Sequence, residues 1–258
     1  MYTMLRALMT VVVATAIVSA DHEAGHPAPG CKKFSEIYAT GKELCENMWG
    51  IAFKYEPNEN LGYDMWWTSG SNPNGAVSTA LGKDPAPATC GLAGDYFHKE
   101  TPGPETDEVH ACRPYKDNAC CKDETVKNTQ TIKASYGEEY HWDRCGPLSQ
   151  ACEAYFVYEA CFYECEPAAG LFRKWTDAQV ADKENFPDAN TWQMEAMPIK
   201  ASFCDGWLDA CRDDMFCSAD DGDYFSCAAI YKVATGPFPP RLPAMQCAAC
   251  AVCSGPVP

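Results

Sequence analysis

The sequence is poor in basic side chains, with 20 Lys and Arg against 36 Asp and Glu, so its formal charge at pH 7 is −16. A polyanion would be repelled by that surface, which argues against nucleic acid as a partner. A long apolar run is also lacking. The single apolar stretch, Ala7 to Val18, is too short to span a bilayer comfortably, and no second one follows. The small-residue end around Ala244 to Val252 lacks the apolar tail that a lipid-anchor signal requires. There is no Asn-x-Ser/Thr sequon, no internal repeat and little strand-like alternation. CxxC spacing, the usual mark of paired zinc ligands, occurs only at Cys247, Cys250 and Cys253. A transmembrane protein and a cytosolic enzyme are both disfavoured.

What is abundant is cysteine, 17 of 258 residues. Arg6, the apolar run and the ending Val18-Ser19-Ala20 read as a signal peptide over residues 1–20. Its removal takes away one positive charge, Arg6, and moves the formal charge from −16 to −17. Cysteines behind a signal peptide imply a secreted or secretory-lumen disulfide framework, each bridge adding about 2–4 kcal/mol. Such a fold depends less on a continuous core and leaves aromatic side chains available to a ligand. Residues 21–30 read as a mobile leader, 31–81 as an aromatic segment and Gly82 to Ala88 as a linker. Cys90 to Cys227 holds most of the cysteines, and 236–258 is a Pro/Cys-rich tail.

Three stripes have helical spacing. They are Cys204, Leu208, Cys211 and Met215; Leu148, Cys152, Tyr155 and Phe162, with Pro147 suited to the first turn; and Leu44, Met48 and Ile51. The expected picture is several helices, short strands and long stapled loops. Enzymatic readings find little support. His141 is near Asp143 and Cys145, but a disulfide framework claims Cys145, which leaves no Cys–His nucleophile pair. His22 and His26 lie in the leader. Cys247 and Cys250 have redox spacing, but no thioredoxin-like alternation of strands and helices surrounds them. Asp220, Asp221 and Asp223 lack the twelve-residue calcium-loop pattern, so no metal site is expected.

Several motifs together resemble one family. His98-Lys-Glu-Thr-Pro-Gly-Pro-Glu105, Cys112-Arg-Pro114, Asn118-Ala-Cys-Cys121, Trp142-Asp-Arg-Cys-Gly146, Cys161-Phe-Tyr-Glu-Cys-Glu-Pro167 and Phe203-Cys-Asp-Gly-Trp207 are similar to segments of the folate receptor and riboflavin-binding proteins. The leading Phe34 to Gly41 and Cys45 to Gly50 resemble the C-terminal part of riboflavin-binding proteins. Met65-Trp66-Trp67 and Asn72-Pro73-Asn74 resemble the end of folate receptors. Relative to those proteins the chain reads as circularly permuted: residues 31–81 are the family's last segment moved to the front, 82–88 the joint and 89–235 the main part. Such an exchange suits termini that lie close together.

The resemblance implies an α+β, mostly helical, disulfide-rich globule over 31–235. It also implies the pairs Cys31–Cys145, Cys45–Cys204, Cys90–Cys120, Cys112–Cys161, Cys121–Cys165, Cys152–Cys211 and Cys217–Cys227. One family bridge is missing at both ends, with Lys200 at one position and the neighbourhood of Gly62 at the other. Cys247, Cys250 and Cys253 are left over, an odd number. In function it implies a secreted carrier, not an enzyme, that needs no cofactor and takes a small flat heterocycle, riboflavin or a related flavin or pterin. The ring would stack between Trp49 and Tyr163, and Glu159 would hydrogen-bond its edge. Tyr140, Trp142 and Trp192 would form the pocket wall. The acidic loop and the absence of arginine after Trp192 disfavour folate, whose carboxylates would be repelled. Read alone, Trp49 and Tyr163 would each suit a core better than a site, and Glu159 would equally suit a solvated helix face; it is as a matching pair that the two aromatics favour the site. One branch of the family, an egg-surface receptor for sperm, keeps the scaffold without binding the vitamin. An extracellular protein-recognition module is therefore the alternative.

Overall fold

The computed structural model describes residues 30–227 except 69, 93–97, 107–110, 138–139 and 219–221. The signal peptide, His22, His26 and the tail cysteines lie outside the described residues. In chain order the helices are α1 (Phe34–Ile37), α2 (Gly41–Asn47), α3 (Asn74–Ala80), α4 (Asp123–Val126), α5 (Thr129–Ser135), α6 (Gln150–Cys165), α7 (Asp177–Ala181) and α8 (Ala201–Cys211). The strands are β1 (Cys31–Lys33), β2 (Phe53–Glu56), β3 (His98–Gly103), β4 (Ala119–Cys121), β5 (Met197–Lys200) and β6 (Met215–Cys217). The molecule is a disulfide-rich α+β fold in which helices dominate.

The three helical stripes are each realised in part, and local chemistry explains the differences. α6 starts later than Pro147, because the Ser149 hydroxyl accepts the Cys152 N–H (3.3 Å) and caps the helix there, leaving Leu148 outside. α2 ends at Asn47, and Gly50 turns the chain with φ +59°, so Ile51 leaves the stripe and is 45% exposed. α8 stops at Cys211, and Met215 belongs to β6 because the chain there pairs with β1.

Three two-stranded ladders tie distant parts together. β1 runs antiparallel to β6 with Cys31 opposite Cys217, β2 runs parallel to β5, and β3 runs antiparallel to β4. Both strands of the leading segment thus pair with strands from the second half of the chain. One core includes Phe34, Leu44, Met48 and Phe53 from the front and Phe156, Phe162, Trp207 and Phe216 from later elements. Each such side chain contributes about 1.5–3 kcal/mol when fully buried. The stretch 82–88 is held as well: Lys83 Nζ donates to the Leu171 carbonyl (3.1 Å) and sits over the Phe172 ring.

Seven disulfides join Cys31–Cys145, Cys45–Cys204, Cys90–Cys120, Cys112–Cys161, Cys121–Cys165, Cys152–Cys211 and Cys217–Cys227. These are the pairs the resemblance implies. Where an eighth would fall, Gly62 lies against Lys200 so closely that a Cβ on Gly62 would stand 2.7 Å from the Lys200 Cα and N. The join is held instead by Lys200 N–H to the Tyr63 carbonyl (3.2 Å) and by Lys200 Nζ on Asp64 (2.5 Å). Gly62→Ala is therefore expected to push the segments apart and lower stability by about 1–3 kcal/mol, read as a lower urea midpoint.

Candidate functional site

A fourfold spacing puts Glu159 and Tyr163 on the same side of α6. Four other segments bring polar aromatics toward that side. Trp49 comes from the turn after α2, Tyr136 from the end of α5, Tyr140 from the strand-poor stretch before Cys145, and Tyr224 with Phe225 from the loop between Cys217 and Cys227. The Tyr224 N–H donates to the Met48 carbonyl (2.8 Å), which locks that loop beside Trp49. Asp223 Oδ1 accepts the Phe225 and Ser226 N–H groups (2.7 and 3.2 Å), so this member of the acidic triplet shapes the turn. Asp220 and Asp221 lie outside the described residues.

The rings form a connected aromatic group. Trp49 and Tyr224 centroids are 4.6 Å apart at 35°, Trp49 and Phe225 5.4 Å apart edge-on, and Trp49 and Tyr136 6.3 Å apart. Tyr140 touches Phe225 at 5.7 Å. The Arg144 guanidinium lies 4.9 Å from the centre of the Tyr224 ring. Among the described ring contacts none joins Trp49 to Tyr163. Tyr163 meets His98 edge-on at 5.6 Å, and its hydroxyl donates to the Trp192 carbonyl (3.0 Å). Trp192 thus meets Tyr163 through its backbone. Trp142 is only 2% exposed, stacks on Phe156 at 5.7 Å and donates Nε1–H to Glu153 (3.1 Å). With its ring covered and its N–H used, Trp142 packs as a core residue behind the group.

The polar atoms are what set this region apart from an ordinary core. Glu159 is 3% exposed. Burial, and then the nearby Glu164, push its pKa well above the usual carboxylate range. Burial raises Glu164 to about 8 and lowers His98 to about 4, while His98 Nε2 stands 3.3 Å from a Glu164 oxygen. The neutral acid and neutral imidazole are therefore the favoured forms of that pair. Tyr136 and Tyr163 are raised by burial and by the same two glutamates. Trp49 Nε1 and the Tyr224 hydroxyl are buried with no partner. Each such orphan costs about 1–3 kcal/mol while it stays without a partner.

The sequence pointed to Trp49, Tyr163, Glu159 and Tyr140, but not to Tyr136, Tyr224, Phe225, Glu164 or His98. Glu164 and His98 stand inside recognisable motifs, and Tyr224-Phe225 follows the acidic triplet in the segment between Cys217 and Cys227. A separate cavity of about 260 Å³ is lined by Pro85, Pro87, Tyr115 and Glu166 among others. There Glu166 accepts from Asn72, Asn74 and the Ala168 N–H at 2.7–2.9 Å, which makes it a satisfied structural acid. The sulfurs of Cys31, Cys145 and Cys217 lie within 4.8 Å of one another, but all three are bridged and none is a thiolate ligand. No described helix is long and apolar enough to cross a membrane.

Comparison with known proteins bears on the family. The chain is 35% identical over 130 residues to the riboflavin-binding protein of Gallus gallus, covering 49% of this chain and 47% of that one. It is 32% identical over 127 residues to folate receptor alpha of Homo sapiens, covering 48% and 44%. It is 32% identical over 123 residues to the riboflavin-binding protein of Dromaius novaehollandiae, covering 46% and 44%. The match thus spans about half the length of each relative. The model of the folate receptor family matches residues 89–235, more than half of the chain. With that match, and with the bridges and buried polar aromatics above, the chain belongs to the folate receptor family.

Proposed function

We propose that this chain is a secreted carrier that binds a flat, uncharged heterocycle, riboflavin or a related flavin or pterin, without cofactor and without catalysis. The observation that carries the reading is that Trp49 Nε1–H and the Tyr224 hydroxyl are buried without partners among aromatic rings, with the buried acid Glu159 acting on Tyr224. Trp49 and Tyr163 offer ring surface, and Tyr140 and Trp192 stand at the border. The relatives' names, riboflavin-binding protein and folate receptor, support the vitamin class. Buried acids at Glu159 and Glu164 suit a neutral ring better than folate's carboxylates.

The same proposal covers the domain plan: one ligand-binding domain over 31–235 with 31–81 as the family's transposed C-terminal segment. The family match begins at residue 89, and the front segment is tied into it by Cys31–Cys145, Cys45–Cys204 and two strand pairings.

Titration of the oxidised protein with riboflavin tests the function. Saturable quenching of both flavin and tryptophan emission is expected, and Trp49→Ala is expected to weaken binding at least 30-fold, about 2 kcal/mol. One observation favours a second reading, since Tyr224 already covers part of Trp49 at 4.6 Å. If that contact does not open, flavins and pterins both fail to quench and the scaffold serves protein recognition.

A further inference from the structure

Two disulfides stand side by side where the front segment meets β6. Cys31 of β1 is bridged to Cys145, and Cys217 of β6 to Cys227. The sulfurs of Cys31, Cys145 and Cys217 all lie within 4.8 Å of one another. The strand register places Cys31 directly opposite Cys217. Phe34 donates its N–H to the Asp214 carbonyl (2.9 Å), and Ser218 donates to the Gly30 carbonyl (3.3 Å). Bonded and unbonded positions alternate along an antiparallel ladder, so these two bonds leave Cys31 and Cys217 as a non-hydrogen-bonded pair. The Cα atoms of such pairs stand about 4.5 Å apart, inside the span of about 4.4–6.8 Å that a disulfide bridges. A Cys31–Cys217 bond therefore needs no change in the ladder.

Exposure differs along the set. Cys145 is half-buried, whereas Cys31, Cys217 and Cys227 are 8%, 1% and 0% exposed. A thiol arriving from solvent therefore meets Cys145 first.

We propose that these four cysteines form a thiol–disulfide exchange site, at which an external dithiol converts Cys31–Cys145 and Cys217–Cys227 into a single Cys31–Cys217 bridge. One thiolate of the dithiol attacks the Cys145 sulfur, breaks Cys31–Cys145 and leaves Cys31 as a thiolate. The Cys31 thiolate attacks the neighbouring Cys217 sulfur, forms Cys31–Cys217 and expels Cys227 as a thiolate, which takes up a proton. The second thiol of the dithiol then resolves its mixed disulfide, closing to a cyclic disulfide and releasing Cys145 as a thiol. Two electrons and two protons pass from the dithiol to the protein, which ends with one bridge and two thiols in place of two bridges. The consequence lies at the aromatic group. Cys227 anchors the segment whose Tyr224 and Phe225 rings stand 4.6 and 5.4 Å from Trp49. Exchange removes that anchor while keeping β1 tied to β6, whereas plain reduction of Cys217–Cys227 would leave Cys217 unbridged.

The full oxidised chain, with its free thiols first blocked by N-ethylmaleimide, is treated with dithiothreitol. Samples are stopped over time with iodoacetamide and their bridges mapped by mass spectrometry. Peptides joined through Cys31–Cys217 are expected to appear together with alkylated Cys145 and Cys227, and to exceed any other non-native pairing at least tenfold. Cys227→Ser tests the central step without a reductant, because it leaves Cys217 as a thiol beside the Cys31–Cys145 bridge. At least a tenth of that chain should carry Cys31–Cys217 with Cys145 free. The map of the unmutated chain decides even if this variant fails to fold. Absence of Cys31–Cys217 from its whole time course would overturn the proposal, whether Cys217 and Cys227 are alkylated together or no bridge opens. A folded Cys227→Ser chain that keeps Cys31–Cys145 throughout would overturn it as well. The bridges are read without any ligand, so the result stands apart from the carrier reading.

Discussion

Replacing Cys45 and Cys204 together by alanine is expected to lower stability by about 3–4 kcal/mol. The bridge joins residues separated by 159 positions in the chain. Cys31–Cys145 and Cys152–Cys211 remain and shorten the loop it closes to roughly 30 residues, for which the lost freedom of the unfolded chain is worth about 3.6 kcal/mol. Both sulfurs are buried where α2 meets α8. Loss on this scale is a large part of the roughly 5–15 kcal/mol that holds a domain folded. Urea unfolding followed by tryptophan emission measures it. A single transition with a much lower midpoint is expected, because the front segment shares β1–β6, β2–β5 and the core with the rest. Two separate transitions would show instead that residues 31–81 fold as their own unit and would sink the one-domain proposal.

The second large effect is a loss of stability as pH rises above the ordinary carboxylate range. Burial raises Glu164 to about 8, raises Glu159 well above its ordinary value, and raises Glu166 despite the hydrogen bonds that pull it down. Between the unfolded carboxylate value and the raised folded value, the folded chain keeps a proton that the unfolded chain has lost. Stability therefore falls as pH rises through that window, by about 1.4 kcal/mol per pH unit for each such carboxyl. His98 acts in the opposite sense. Its folded value near 4 means that the unfolded chain takes up a proton first, so stability falls as pH drops from 6.5 toward 4. Calorimetry from pH 5 to 9 should show a melting temperature that already declines from pH 5, because three raised carboxyls outweigh one imidazole, and that declines more steeply above about pH 6.5 where His98 no longer opposes them. Glu164→Gln, which mimics the neutral acid, should flatten that decline. An unchanged slope in this variant would mean that Glu164 is ionised in the folded protein.

Much was legible in the linear chain for physical reasons. Cysteine spacing behind an apolar leader bears on redox compartment and on the dependence of the fold on bridges. The motif set around Cys120-Cys121 and Cys161 to Cys165 carries the family, and with it the pairings that the structure contains. Helical periodicity located α2, α6 and α8 because their buried sides repeat every three to four residues. It failed at their ends, at Leu148, Ile51 and Met215. Ends are decided by single atoms, the Ser149 hydroxyl, the Gly50 backbone and the β1 edge, and periodicity averages over them.

What only the tertiary structure decided concerns the surroundings of individual side chains. Trp142 and Trp49 read alike in the sequence, yet Phe156 and Glu153 satisfy the first while the second keeps an unbonded Nε1. The protonation of Glu159, Glu164 and His98 follows from how completely distant segments exclude water from them, and no local pattern encodes that. The group itself draws on the exit of α2, the end of α5, the middle of α6 and the Cys217–Cys227 loop. The sequence by itself determined the scaffold, because covalent bridges and helix stripes are written in residue type and spacing. Which rings keep unbonded polar atoms and which are satisfied in the core was decided by packing, because solvent exclusion is a property of all the surrounding segments at once.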